Sequence, residues 1–163
     1  MTWKNKIKSN TQFDGFISAL DIFKTSLEVS NVNDELMVNA DGKNIMNYLN
    51  DNIIQNENLF WRKDKMATVR SGNYKLIRLN DTSTVLYNIE NNFFEDLDLK
   101  LIEPLIHDSL FKVLSAWEDR LIDPNWIENK DWNIVTEMIY EDLMANKNTV
   151  SYTHLRAHET RTY

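Results

Sequence analysis

Apolar residues recur at helical spacing near the start of the chain. They lie three and four positions apart over residues about 11–29, as they do on the buried face of a helix. This face comprises Phe13, Phe16, Ile17, Leu20, Phe23 and Leu27. Thr11 is the expected N-cap, which places Asp14 near the positive end of the helix dipole. The pattern predicts a first helix over residues 11–29.

A second apolar stripe follows a polar, turn-rich segment that ends at Gly42. It consists of Ile45, Met46, Leu49 and Ile53, again at helical spacing, and it extends to about Gln55. One apolar stripe on an otherwise polar segment is typical of a helix that packs on a core. A second helix is therefore predicted here.

The hydrophobic pattern then changes to one that favours β-structure. Residues 65–90 are rich in β-branched and aromatic types, and turn-forming residues interrupt them at 71–73 and 80–83. We predict three antiparallel strands at about 65–70, 73–79 and 84–90, of which the last two form a hairpin. Three strands with one apolar face need a helix packed over that face to be stable.

Helical spacing returns after residue 93 and predicts two further helices. The first has Pro104 in its first turn and ends at Asp123, because the residue before Pro124 is disfavoured in a helix. The second begins at Asp131, a plausible N-cap. Two helices, a three-stranded antiparallel meander and two more helices predict an α+β domain with its helices packed on one face of the sheet.

The end of the chain differs in composition from the rest. Val150 to Thr160 read VSYTHLRAHET, a string that resembles the translation of a transposon-end sequencing adapter. The resemblance implies that residues 150–163 are a non-native tail and that the native C-terminus is missing. Residues 1–149 are then the expected single domain. His154 and His158 have the spacing of a helical metal-ligand pair, but they belong to this tail.

Composition and motifs favour binding over catalysis. The chain has no cysteine, a formal net charge of −7 and only three glycines, which are far apart. These features exclude disulfides, thiolate metal sites and glycine-rich phosphate loops, so no cofactor is expected. No segment is apolar enough for a signal core or a membrane span, and a cytoplasmic location without a membrane partner is expected.

Two groups of titratable residues are candidates for a catalytic site. His107 is the sole histidine before residue 150, and adjacent helical residues diverge, which makes Asp108 a poor orienting partner. A structural histidine is expected. Glu137 and Glu141 share a helix face and could bridge a divalent cation with a neighbouring carboxylate. A metal-dependent hydrolase is thus one alternative, although a solvated acidic face is the simpler interpretation and no metal ligand is assigned.

Charge is segregated along the chain. Basic residues concentrate between residues 60 and 80, whereas acidic residues predominate between 90 and 145. A basic sheet with aromatic neighbours could bind nucleic acid, a nucleotide or another anion. The candidate residues are Arg62, Arg70, Tyr74, Lys75 and Arg78. The simpler interpretation is that these bases form the solvated face of a half-buried sheet.

The acidic helices are candidates for docking a basic protein, through complementary charge and exposed tryptophans. The residues concerned are Glu118, Asp119, Trp126, Trp132, Glu137 and Glu141. The first hypothesis is therefore a small, acidic, cytoplasmic protein that binds another macromolecule. Accessory and neutralising proteins of phages, mobile elements or toxin–immunity loci act in this way. A nucleic-acid or nucleotide binder that uses the basic meander is the alternative.

Overall fold

The computed structural model describes residue 4 and residues 6–10, 12–30, 40–51, 58–80, 83–91, 94–123 and 129–145. The chain divides into two compact units, Met1–Leu59 and Phe60–Tyr163. The described part is an α+β structure with one four-stranded sheet and four helices. The predicted N-cap Thr11, the candidate Trp126 and the adapter-like tail lie outside the described residues.

The described part of the first unit contains two helices, α1 (Ala19–Val29) and α2 (Ile45–Asp51). The prediction that a helix covers residues 12–18 is wrong, because α1 begins only after the N-cap Ser18. The Ser18 hydroxyl accepts from the Leu20 N–H, and the Ser18 N–H donates to Asp21 Oδ2 at 2.7 Å. This capping box satisfies donors that would otherwise be orphaned, and it sets the start of the helix.

Polar side chains connect α1 to the segment that leads into α2. Asp21 Oδ1 accepts from the Lys43 N–H at 2.8 Å, and Thr25 Oγ1 accepts from the Ile45 N–H at 2.8 Å. Both side chains are buried, whereas Leu20 and Phe23 of the predicted apolar face are 56% and 55% exposed. Buried backbone hydrogen bonding, rather than the apolar stripe, therefore determines which side of α1 faces inward in this unit.

The second unit is built on an antiparallel meander of β1 (Leu59–Lys63), β2 (Met66–Ser71), β3 (Tyr74–Arg78) and β4 (Thr84–Asn88), in that order. The expected number of three strands is wrong. The missed strand β1 has as many residues as β3 and β4, but its sequence LFWRK contains no β-branched residue, one of the residue types that marked the predicted strands. Asp64, with a φ of 51°, forms the tight turn that joins β1 to β2.

One face of the sheet packs against the helix α3 (Pro104–Glu118). Val69, Leu76 and Leu86 lie opposite one another across three strands, and Leu110 and Leu114 of α3 cover them. Phe60 of β1 stacks on Trp117 at a ring-centroid distance of 4.8 Å, which extends the core to the sheet edge. The helix expected over the sheet is thus confirmed, with Pro104 in its first turn as predicted.

The last helix, α4 (Lys130–Met144), lies near the turn between β1 and β2. Its Asn133 amide donates to Asp64 Oδ2 at 2.8 Å, and its Thr136 is buried. In the part of the chain that the structure describes, none of the helices has both the length and the apolar character needed to cross a membrane.

Removal of buried volume from α3 should destabilise the second unit. Leu114 is fully buried, so Leu114→Ala is expected to lower the free energy of unfolding by roughly 2–5 kcal/mol. Leu105→Ala removes the same atoms from a side chain on the same helix that is 84% exposed, and it should change this free energy by less than about 0.5 kcal/mol. Urea titration monitored by tryptophan fluorescence measures both. Equal effects of the two substitutions would contradict the packing described here.

Candidate functional site: the open face of the sheet

The sheet face opposite α3 borders a cavity of about 970 Å³, which we call the sheet cleft. Successive side chains of a strand point to opposite faces, so the residues between the core positions point into this cleft. Its lining includes Thr68 and Arg70 of β2, and Lys75 and Ile77 of β3. The volume is within the range of small-molecule sites. The sheet cleft is therefore a candidate ligand-binding site.

Two cations are placed side by side in the sheet cleft. Arg70 of β2 is the direct cross-strand partner of Lys75 of β3. Like charges directly opposite one another destabilise an antiparallel pair unless an anion lies between or beside them. Lys75 Nζ donates to Glu95 Oε1 at 2.7 Å, so the charge of Lys75 is paired with a carboxylate from the segment that follows β4.

The rim of the cleft adds further basic and aromatic side chains. Arg62 and Lys63 of β1 contribute charge, and Trp61 between the core residue Phe60 and Arg62 is 52% exposed. Tyr140 of α4 lines the cleft as well and is also exposed. An exposed indole beside several cations provides an apolar surface on which a ring can pack while its polar groups reach charged donors.

The structure separates the five residues predicted to bind nucleic acid or another anion. Arg70 and Lys75 line the sheet cleft and Arg62 borders it with its Nε 3.9 Å from Glu118 of α3, whereas Tyr74 packs against the core on the opposite face. Arg78 also lies on that opposite face, where its Nη1 is 2.6 Å from Glu118 Oε2. A hydrogen bond to Glu103 raises the pKa of Tyr74. The two faces of the sheet therefore differ: Arg70 and Lys75 border the cleft on one, and Arg78 and Tyr74 contact carboxylates on the other.

The six residues predicted to bind a partner are not gathered at one place. The carboxylate of Glu118 is half-buried and engaged by Arg78, with Arg62 Nε at 3.9 Å. Asp119 is exposed at the C-cap of α3, and Trp132 and Glu141 are exposed on α4. Glu137 is half-buried on the same helix. The acidic charge of α3 is thus partly used within the fold.

The histidine of α3 takes part in a short hydrogen-bonded chain. His107 Nδ1 lies 3.0 Å from Asp108 Oδ1, and His107 Nε2 lies 3.0 Å from Thr84 Oγ1. The expectation that Asp108 is poorly placed for His107 is wrong, because the two side chains bend towards each other at the first turn of the helix. Thr84 is buried, and none of the three lines the sheet cleft. This chain of hydrogen bonds links β4 to α3.

The sequence also offers a metal site formed by helical carboxylates as an alternative. Within the described ranges, no group of three or more His, Asp or Glu side chains is placed to hold a metal ion. Glu137 and Glu141, the two carboxylates considered for this role, lie four residues apart on α4.

The cleft residues that were absent from the predicted site include Trp61, Glu90, Glu95 and Tyr140. Trp61 belongs to the strand that the sequence did not reveal, and alternation within β1 would have placed it on the face opposite Phe60. Glu90 bonds to Asn73, and Glu95 bonds to Lys75. Both acids follow β4, in a segment whose sequence has no periodicity from which their position could be inferred.

Tyr87 lies beside Lys75 on the same face of the sheet, but it is only 3% exposed. Burial, assisted by the carboxylates of Asp98 and Glu95, raises the pKa of Tyr87 to about 12. Desolvation and neighbouring negative charge both disfavour the phenolate, so the tyrosine is kept protonated in the folded state.

Comparison with known proteins places this fold among solved structures. No family model matches the sequence, and no curated protein matches it. Two crystal structures of Ps i-CgsB match the fold with TM-scores of 0.65 and 0.64 at 21% sequence identity, the second in complex with k-i-k-neocarrahexaose. Each match covers 84% of this chain and 32% of the other, so the chain spans about a third of their length. The likeness shows the fold alone.

The raised pKa of Tyr87 predicts a loss of stability at high pH. An unfolded tyrosine ionises near pH 10, whereas folded Tyr87 keeps its proton until about pH 12. The unfolded state therefore releases a proton that the folded state retains, and stability falls as the pH rises through this window. Tyr87→Phe should flatten that fall, as measured by urea midpoints between pH 9 and 12. Tyr140→Phe, at an exposed position, is the control and should leave the slope unchanged.

Proposed function

We propose that the sheet cleft binds an anionic saccharide. The observation that carries the proposal is the in-register pair Arg70 and Lys75 on the open face of the sheet. A bound anion between these side chains would accept charge-assisted hydrogen bonds from both.

The mixed charge of the cleft favours a saccharide over nucleic acid. Glu90 and Glu95 line the same cleft as its four bases. A nucleic-acid strand has a phosphate at every nucleotide, and it would meet these two carboxylates unfavourably. A saccharide has hydroxyl groups that donate to carboxylates, anionic substituents that accept from Arg70 and Lys75, and an apolar ring face that packs on Trp61.

The likeness to i-CgsB supports a saccharide ligand. A crystal of that protein, which has the same fold over about a third of its length, contains k-i-k-neocarrahexaose.

The hypotheses drawn from the acidic helices stay predictions. A basic protein partner is favoured by the exposed Trp132 and Glu141 on α4. An accessory or neutralising role in the cytoplasm would use this surface and leave the sheet cleft free. A metal-dependent hydrolase would need a further ligand beside Glu137 and Glu141.

Reversal of the two in-register charges should abolish saccharide binding. Each charge-assisted hydrogen bond contributes roughly 1.5–3 kcal/mol, so Arg70→Glu with Lys75→Glu should raise the Kd for k-i-k-neocarrahexaose at least about 100-fold. Isothermal titration calorimetry measures this change. Lys112→Glu with Arg120→Glu is the matched control, because it reverses two exposed charges on and just after α3 and outside the cleft.

Unchanged affinity in the cleft variant, or an equal loss in the control, would rule out the cleft as the binding site. A single-stranded oligonucleotide and a neutral hexasaccharide are titrated in parallel. Tighter binding of the oligonucleotide than of the saccharide would favour the nucleic-acid alternative.

Removal of the indole at the rim should weaken binding moderately. Trp61→Ala deletes an aromatic surface worth roughly 1 kcal/mol of specific contact, which corresponds to about a fivefold increase in Kd. Trp132→Ala removes an exposed indole from α4 that does not line the cleft, and it should leave the Kd unchanged. Intrinsic fluorescence of the wild-type protein should also shift on titration, and this shift should disappear in the Trp61 variant.

A further inference from the structure

Glu95 has an unusual backbone conformation for its residue type. Its φ of 55° lies in the left-handed region, where a side chain with a Cβ is disfavoured. Strained residues of this kind persist where the surrounding structure holds them, and they concentrate at binding sites. The conformation therefore marks the segment after β4 as one that positions the Glu95 side chain at some energetic cost.

The Glu95 side chain places a carboxylate in the sheet cleft. Its Oε1 lies 2.7 Å from Lys75 Nζ, in the cavity where Lys75 stands opposite Arg70. The lysine and glutamate side chains are 28% and 31% exposed, so solvent and ligands can reach the bond. An exposed ion pair of this type is weak, and a better anion can replace one partner.

We propose that Glu95 is a specificity-determining residue of the sheet cleft, whose carboxylate occupies the position at Lys75 that the anionic group of the ligand must take. This inference rests on the proposed saccharide-binding function. A ligand that enters the cleft displaces the carboxylate, and Glu95 competes with it for Lys75.

The competition selects for one class of anionic group. A sulfate or phosphate ester has several terminal oxygens, so it can accept from Lys75 and Arg70 at once and compensate for the broken ion pair. A neutral sugar hydroxyl cannot offset that loss. The substrate class that fits the cleft is therefore a saccharide with tetrahedral anionic esters, and Glu95 disfavours neutral saccharides.

Removal of the competing charge should tighten binding. An exposed ion pair contributes up to about a fivefold factor to an equilibrium, so Glu95→Gln should lower the Kd for k-i-k-neocarrahexaose roughly 2–5-fold in calorimetric titrations. Glu90→Gln is the matched control. It removes one negative charge from the same cleft, but Glu90 bonds to Asn73 and not to a lysine. Its effect should be smaller.

A double-mutant cycle with Lys75→Met isolates the pair from the general charge of the cleft. In the Lys75→Met background, Glu95→Gln should no longer improve the Kd. An equal improvement with and without Lys75, an equal effect of Glu90→Gln, or an unchanged Kd in Glu95→Gln would each overturn the inference.

The two proposals fail in different ways. If the wild-type protein and Glu95→Gln both leave k-i-k-neocarrahexaose unbound, the proposed function fails and the inference fails with it. If the wild-type protein binds through Arg70 and Lys75 but does not respond to Glu95→Gln, the inference alone fails. Glu95→Gly tolerates the left-handed backbone, and it provides a second variant that removes the carboxylate without added strain.

Discussion

The second unit depends on one row of apolar side chains that crosses its sheet. Val69, Leu76 and Leu86 are in register on three adjacent strands, and α3 covers them with Leu110 and Leu114. A small sheet has no independent stability without such a cover, because its apolar face would otherwise remain in water. The strand register and the orientation of α3 both follow from this contact.

The chemistry of the opposite face is a consequence of the same row. With odd-numbered β2 positions in the core, Thr68 and Arg70 must point the other way, and Lys75 and Ile77 of β3 must do the same. A slip of one residue in the pairing would move Arg70 away from Lys75 and would bury it against α3. The cleft and the core are therefore two results of one register, and neither could change without the other.

Much of this architecture could be predicted from the order of residues. Helical periodicity found α3, and β-branched and aromatic residues between turn-forming residues found the strands β2 to β4. Neither signal marked β1, which has no β-branched residue, and the apolar period misplaced the start of α1. There, the local capping box of Ser18 and Asp21 outweighs an apolar pattern that continues upstream. Local hydrogen bonding is not visible to a search for hydrophobic repeats.

The candidate site was predictable only in part. Charge clustering pointed to Arg62, Arg70 and Lys75, and strand alternation alone separates Tyr74 from its neighbour Lys75. That Arg70 faces Lys75 requires the register, which depends on the turn at Gly72 and not on composition. Glu95 reaches the cleft from a segment without regular structure, so neither spacing nor alternation could assign it.

The position of β1 at the end of the strand order has a consequence for solubility. Within the described residues, β1 and β4 are the outer strands, and an outer strand is a template for pairing with another molecule. Arg62 and Lys63 of β1 are exposed, and like charges on two such strands repel when the strands approach in parallel or antiparallel register. The same cations that border the cleft therefore protect the sheet from edge-to-edge aggregation, and neutralising them would make the protein prone to self-association.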